Sequence, residues 1–461
     1  MGRLPNILFL FTDQQRLDSL GQLSPWARTP NLDALAAEGV TFTEAVTNAP
    51  VCMPARMALA TGTYPHNFGL YRNGPYPGPP AGFDTWMRAV RDSGYHTALF
   101  GKLHLHTIRG ERDVREHVDR VHELGFDEVM EVVDARGSLD RMSEMTDAWR
   151  EAGVYDAFKD DLDARGFYTP HFVRPAPLPL ELYYDVFVPQ RARAHLASLP
   201  ADRPWCCVVG FPGPHEPWDA PEPYASAFDP ADMPAPTPEI DLGDDPVATS
   251  FDDLQSRFDL RADELARLRA DYAGSVLLID EQVGELLDVV RRRGEWDDTV
   301  VVFASDHGEM NGDHGLVWKN TFLDGALRIP LIVRAPGQVG AGRVSDELVE
   351  LLDVGTTFVD YAGGSMTSPT FGRSLRPLLE DAAAPGRSHV VSEFAREQMI
   401  MDTEHKLVVN ADDEPAWLLD RRDPSEARNC LRDPDKADVV AALGERLRAW
   451  RSATAQPTAG R

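Results

Sequence analysis

Along most of this chain, short continuous apolar runs alternate with longer segments in which apolar residues recur every three or four positions. Asn6 to Phe11 is one such run, closing on the polar cluster Thr12-Asp13-Gln14. A strand buried on both faces reads this way, so we expect a parallel strand whose C-terminal end opens onto polar residues. Val40 to Val46, Tyr95 to Phe100, Trp205 to Phe211, Thr299 to Ala304 and Ile329 to Val333 read as further strands. Thr29-Pro30-Asn31 followed by LDALAAEG predicts a capped helix stopped at Gly39, and Phe83 to Ser93 predicts another stopped at Gly94. Leu260 to Arg293 carries Leu265, Leu268, Tyr272, Val276, Ile279, Val283, Leu286 and Leu287 at helical spacing and predicts one long helix or two. Strands alternating with helices imply an α/β domain with a mainly parallel central sheet flanked by helices.

The pattern loosens from Leu105 to Pro200, where charge and proline interrupt it near Arg174-Pro-Ala-Pro-Leu-Pro179. We read 105–200 as an insertion over a site, the kind of element that sets substrate choice. Its aromatic residues Phe167, Tyr168, Tyr183 and Tyr184 serve equally well as substrate contacts or as core packing. An Asp, Ala and Pro-rich stretch, Leu379 to Arg387, separates a large domain, 1–378, from a smaller one, 388–461. In the latter, Val390 to Phe394, Gln398 to Asp402, His405 to Val409 and Ala416 to Leu419 read as strands, with a closing helix from about Lys436 to Arg451. That is a small antiparallel α+β unit.

A chain of 461 residues, 43% hydrophobic, is long enough for this two-part division. Its net charge of −28 opposes nucleic acid and anionic membrane surfaces as partners, and an anionic substrate would need local cations or a metal against that background. The first residues, MGRLPNILFLFTDQQR, lack the length and cleavage site of a signal peptide, and no segment is apolar enough for a membrane span, so a cytoplasmic protein is expected. The four cysteines do not form a disulfide or zinc pattern. Cys206 and Cys207 lie in a buried strand; Cys52 lies elsewhere, in Cys52-Met-Pro-Ala-Arg56 at the head of a predicted helix, where the helix end and the arginine favour an anion.

A second constellation, Ser305-Asp306-His307-Gly308-Glu309 continuing to His314 and Lys319, puts two metal-ligand types directly after an apolar strand. Asp13 and Gln14 end the first strand, Lys102 and His104 follow the Tyr95 run, and His215 follows the Trp205 run. Short motifs recur by chance, and Cys52 to Arg56 alone reads as readily as a capped helix with a buried thiol. The shared placement after strands is what makes one site of them.

With TDQQRLDSLG, CMPAR, LATG, GKLHL, GPHEPW, SDHGEMNGDHGLVWK and EPAWLLDRRDPSEARN, nearly the whole chain resembles the type I sulfatases of the alkaline phosphatase-like superfamily. The resemblance implies that a formylglycine-generating enzyme oxidises Cys52 to formylglycine (3-oxoalanine). It implies that Asp13, Gln14, Asp306 and His307 hold a divalent cation that also touches the modified residue 52. Arg56 would steady the formylglycine with His104 beside it, Lys102, His215 and Lys319 would bind sulfate oxygens, and His215 or Lys319 would protonate the leaving alcohol. Asn73 resembles a substrate-contacting asparagine of some relatives. The activity implied is hydrolysis of a small-molecule or saccharide sulfate ester through a formylglycine-bound sulfate; the alcohol and the oligomeric state stay open.

The resemblance implies calcium; many arylsulfatases have a second aspartate at Gln14 and an asparagine at His307, so this site has fewer carboxylates and manganese, which suits an imidazole ligand, is the alternative. Ala55 stands where serine is common and recurs in related phosphonate monoester and phosphodiester hydrolases, the nearest rival reading; Lys102 and His104 favour the sulfatase. A rival of another class is a non-catalytic anion-binding protein with unmodified Cys52.

Overall fold

In the computed structural model, residues 4–107, 112–166, 169–239 and 258–455 are described. Eight strands form the central sheet, in the order Arg343–Ser345, Val40–Phe42, Leu331–Arg334, Thr299–Ser305, Asn6–Asp13, Trp205–Pro214, His96–Lys102, Glu128–Val132. All run parallel except Leu331–Arg334, which is antiparallel to both neighbours. The expected apolar runs are there, and Asn6–Asp13, Trp205–Pro214 and Thr299–Ser305 are buried at every position. Cys206 and Cys207 face Ile7 and Leu8 across the ladder, as a strand reading requires.

One core layer packs the helices Cys52–Thr61, Trp86–Asp92 and Leu351–Tyr361 against one side of this sheet; the other packs Pro30–Ala37, Tyr184–Ser198 and Ala262–Arg292. Leu260 to Arg293 thus forms one helix of 31 residues. The run Val40 to Val46 divides: Val40–Phe42 joins the main sheet while Ala45–Val46 pairs with Val349–Glu350. Of 105–200, strand Glu128–Val132 is the sheet's edge and helix Tyr184–Ser198 covers its face, so much of this stretch is scaffold. Tyr183 and Tyr184 are buried with both hydroxyls donating to Asp219, at 3.0 and 2.5 Å, which is packing; Phe167 and Tyr168 lie outside the described residues.

At the C-terminus, Val390–Phe394, Glu397–Met401, His405–Val409 and Pro415–Asp420 form a four-stranded antiparallel sheet covered by helix Ala437–Thr454. Buried ions fasten it to the large sheet's loops: Lys406 Nζ lies 2.6 Å from Asp324 and also donates to Glu426. Among the described residues, no helix is long and apolar enough to cross a membrane.

Candidate active site

Four adjacent parallel strands deliver the site. Thr299–Ser305, Asn6–Asp13, Trp205–Pro214 and His96–Lys102 are consecutive in the sheet, so their C-terminal ends share one edge. That edge carries Asp306 and His307, Asp13, His215, and Lys102, and the strand order supplies what sequence spacing could not. Strands Trp205–Pro214 and His96–Lys102 approach closely there: a Cβ on Gly210 would lie 2.4 Å from the Lys102 carbonyl oxygen, and one on Gly101, at φ +105°, would lie 2.0 Å from that of Gly210. Only glycine fits such contacts.

Cys52 opens helix Cys52–Thr61 over this edge, and Asn73 Oδ1 accepts from the Met53 N–H at 2.9 Å, satisfying one of the donors a helix start leaves free. Ligand atoms of Asp13, Cys52, Asp306 and His307 all lie within 4.8 Å of one another, and all four side chains are buried. Cys52 Sγ is 3.1 Å from His307 Nε2 and 3.7 Å from Asp13 Oδ1. His307 Nδ1 donates to the Gly308 carbonyl at 2.9 Å, which directs the Nε2 lone pair into the cluster. Two carboxylates, an imidazole nitrogen and the side chain of residue 52 therefore fit a divalent cation by donor type and by convergence.

Arg56, one helical turn beyond Cys52, holds the two carboxylates in place. Its Nε donates to Asp306 Oδ2 at 2.7 Å, Nη2 to Asp13 Oδ2 at 3.2 Å and Nη1 to the Lys102 carbonyl at 2.9 Å. Lys102 Nζ lies 2.6 Å from Asp13 and 3.5 Å from Asp134. Burial works against ionisation of Asp13, yet Lys102, His215, Arg56 and His307 outweigh it and hold the carboxyl well below its usual range. Lys319 Nζ is 2.7 Å from His215 Nε2, and His215 Nδ1 is 3.3 Å from Glu216. Burial disfavours protonated His215, but Glu216 and Asp13 reverse that and raise its proton affinity. His104 takes the opposite course: burial and Lys102 drive it well below the usual histidine range.

Gln14 donates its backbone N–H to Asp306 Oδ1 at 3.1 Å, while its side-chain amide faces Lys319, Glu216 and Glu309. In this arrangement its amide links the cluster to Lys319. Gln14 and His104 both hold positive φ, 69° and 57°, as do Trp318 and Asn320 on either side of Lys319. Residues without glycine's freedom in that region store strain, and functional sites are where it concentrates. Glu216 and Glu309 went unassigned although they stand inside GPHEPW and SDHGEMNGDHG, whereas Asp134, beyond the edge strand, carries no sequence signal.

Fold and site together define an α/β enzyme of alkaline phosphatase-like architecture. The sulfatase family model matches residues 5–365, and the model of the N-sulphoglucosamine sulphohydrolase C-terminal region matches 312–453. The chain belongs to the sulfatase family and is a hydrolase. It is 28% identical to the multifunctional alkaline phosphatase superfamily protein PehA of Trinickia caryophylli, over 98% of this chain and 96% of that one. It is 27% identical to an arylsulfatase of Clostridium perfringens, over 95% and 92%. Among solved structures it is similar to the phosphonate monoester hydrolase of Agrobacterium radiobacter, with a TM-score of 0.81, 27% identity and coverage of 98% and 96%.

Proposed function

We propose that the protein is a sulfatase that hydrolyses a sulfate monoester to an alcohol and inorganic sulfate, with Cys52 matured to formylglycine. The observation that carries this reading is the convergence of Asp13, Cys52, Asp306 and His307 within 4.8 Å at the start of a helix. Asp13, Asp306 and His307, with Gln14 as a further oxygen ligand, would hold calcium, or manganese given the imidazole; the ion and the hydrated aldehyde would supply Lewis acidity and a nucleophilic hydroxyl.

The chain's own residues do the rest. Arg56 orients both carboxylates, so the ligand oxygens need no rearrangement. Lys102 and Lys319 both lie near enough to residue 52 for charge to act between them, would bind the nonbridging oxygens of a bound sulfate, and stay charged because buried carboxylates face them. His215, with its raised proton affinity, is placed to donate a proton to the departing alcohol, with Lys319 beside it. Burial of the cluster excludes water and strengthens each of these charges.

The nearest second reading is a phosphonate monoester or phosphodiester hydrolase using the same Asp306-His307 pair, supported by the similarity to the phosphonate monoester hydrolase of Agrobacterium radiobacter and by Ala55. Lys102 and His104 support the sulfate reading. We expect higher kcat/KM on an aryl sulfate than on an aryl phosphonate monoester; preference for the phosphonate by orders of magnitude overturns the choice. Intact-peptide mass spectrometry tests maturation: protein produced with a formylglycine-generating enzyme loses about 18 Da at Cys52, and an unaltered thiol would support an anion-binding protein instead.

A further inference from the structure

Beside the reactive cluster opens a pocket of about 370 Å³, lined by Met53, Asn73, Lys102 and His104 and also by Glu131 and His106. Met53 follows Cys52 and Lys102 Nζ lies 2.6 Å from Asp13, so the pocket adjoins the reactive cluster. Its walls differ from the ion-paired centre. Glu131, opposite Gly101 on the edge strand, is 7% exposed, and His106 is 3% exposed. One Glu131 oxygen accepts the His104 backbone N–H; Oε2, like both His106 ring nitrogens, has no hydrogen-bond partner among the described residues. Folded proteins leave few buried polar atoms in that condition, and those they leave call for a ligand or water.

The two side chains face each other across a gap. His106 Nε2 and Glu131 Oε2 are 3.8 Å apart, beyond direct hydrogen-bond reach but spanned by one hydroxyl about 2.8 Å from each. Burial pushes Glu131 up to about 8 and His106 down to about 4, so near neutral pH both are uncharged. An uncharged pair offers no ion partner to a quaternary ammonium. It matches a hydroxyl, which donates and accepts at once.

We propose that Glu131 and His106 are specificity-determining residues that together clasp a second hydroxyl on the alcohol half of the ester, making a polyhydroxylated alcohol the preferred leaving group. This rests on the reading of the adjoining site as a sulfate ester hydrolase. The test compares kcat/KM of the wild type, Glu131→Gln and His106→Gln on para-nitrophenyl sulfate and on monosulfates of glucose, galactose and N-acetylglucosamine, with the corresponding deoxy-sugar sulfates. The wild type turns over at least one sugar sulfate, and each variant loses about ten- to a hundredfold more on it than on para-nitrophenyl sulfate. On the deoxy analogue lacking the clasped hydroxyl, wild type and variants converge, a result that a merely structural role would not produce. Equal losses on sugar and aryl esters overturn the proposal, as does a wild type that hydrolyses para-nitrophenyl sulfate and no sugar sulfate. Thermal transitions check folding; should Glu131→Gln fail to fold, His106→Gln carries the comparison. If the wild type hydrolyses phosphonate monoesters and no sulfate, the sulfatase reading fails by itself, and sugar and nitrophenyl phosphonate monoesters then decide the clasp by the same ratio.

Discussion

Arg56→Met isolates the group on which the cluster's geometry depends. The arginine is 2% exposed, donates three hydrogen bonds at 2.7, 2.9 and 3.2 Å, and stacks its guanidinium 4.8 Å from the Phe11 ring. Methionine keeps apolar contact with Phe11 but removes the charge and all three donors. Asp13 retains Lys102; Asp306 retains only neutral donors, the backbone N–H groups of Gln14 and His307. Removing one partner of a buried ion pair costs about 3–5 kcal/mol, because the remaining charge stays desolvated. We expect that loss in chelator, read from the urea midpoint by tryptophan fluorescence. A divalent cation neutralises the same carboxylates and stabilises the folded state by binding it selectively, so calcium should restore more stability to Arg56→Met than it adds to the wild type. A variant within about 1 kcal/mol of wild type in chelator, or one with the same calcium response, would refute the placement of Arg56 between the two carboxylates and the ion.

Cys52→Ala should abolish turnover while shifting the thermal transition little, since only one small buried side chain is shortened; surviving activity would defeat its assignment as nucleophile. Prolonged chelation should remove activity, and readdition of calcium or manganese in parallel should identify the ion by which restores it; activity indifferent to chelator speaks against the cluster as a metal site. Asp271, pushed up to about 8 by burial and by Asp219, keeps its proton when folded but ionises near 4 when unfolded. Its contribution is complete below about pH 4 and is lost as pH rises toward 8, at up to about 1.4 kcal/mol per pH unit. Asp271→Asn should therefore gain on wild type more at pH 8 than at pH 5.5 in urea unfolding, and a pH-independent difference would contradict the buried, protonated carboxyl.

What the sequence determined by itself follows from short-range physics. A parallel strand covered on both faces must be continuously apolar, so Asn6 to Phe11, Trp205 to Phe211 and Thr299 to Ala304 were legible, as was the polar residue that ends each run. The C-terminal meander and closing helix were legible from alternation and turns. Tertiary structure alone decided which strands are neighbours, and hence that Asp13, Lys102, His215 and Asp306 share one edge. It reversed Leu331–Arg334, whose apolar run carries no record of direction, and divided Val40 to Val46 between two sheets. It also supplied Asp134, Glu216 and Glu309 as partners of the site's cations and amide, and the gap between Glu131 and His106, because charge balance in a buried site depends on distances that residue spacing does not encode.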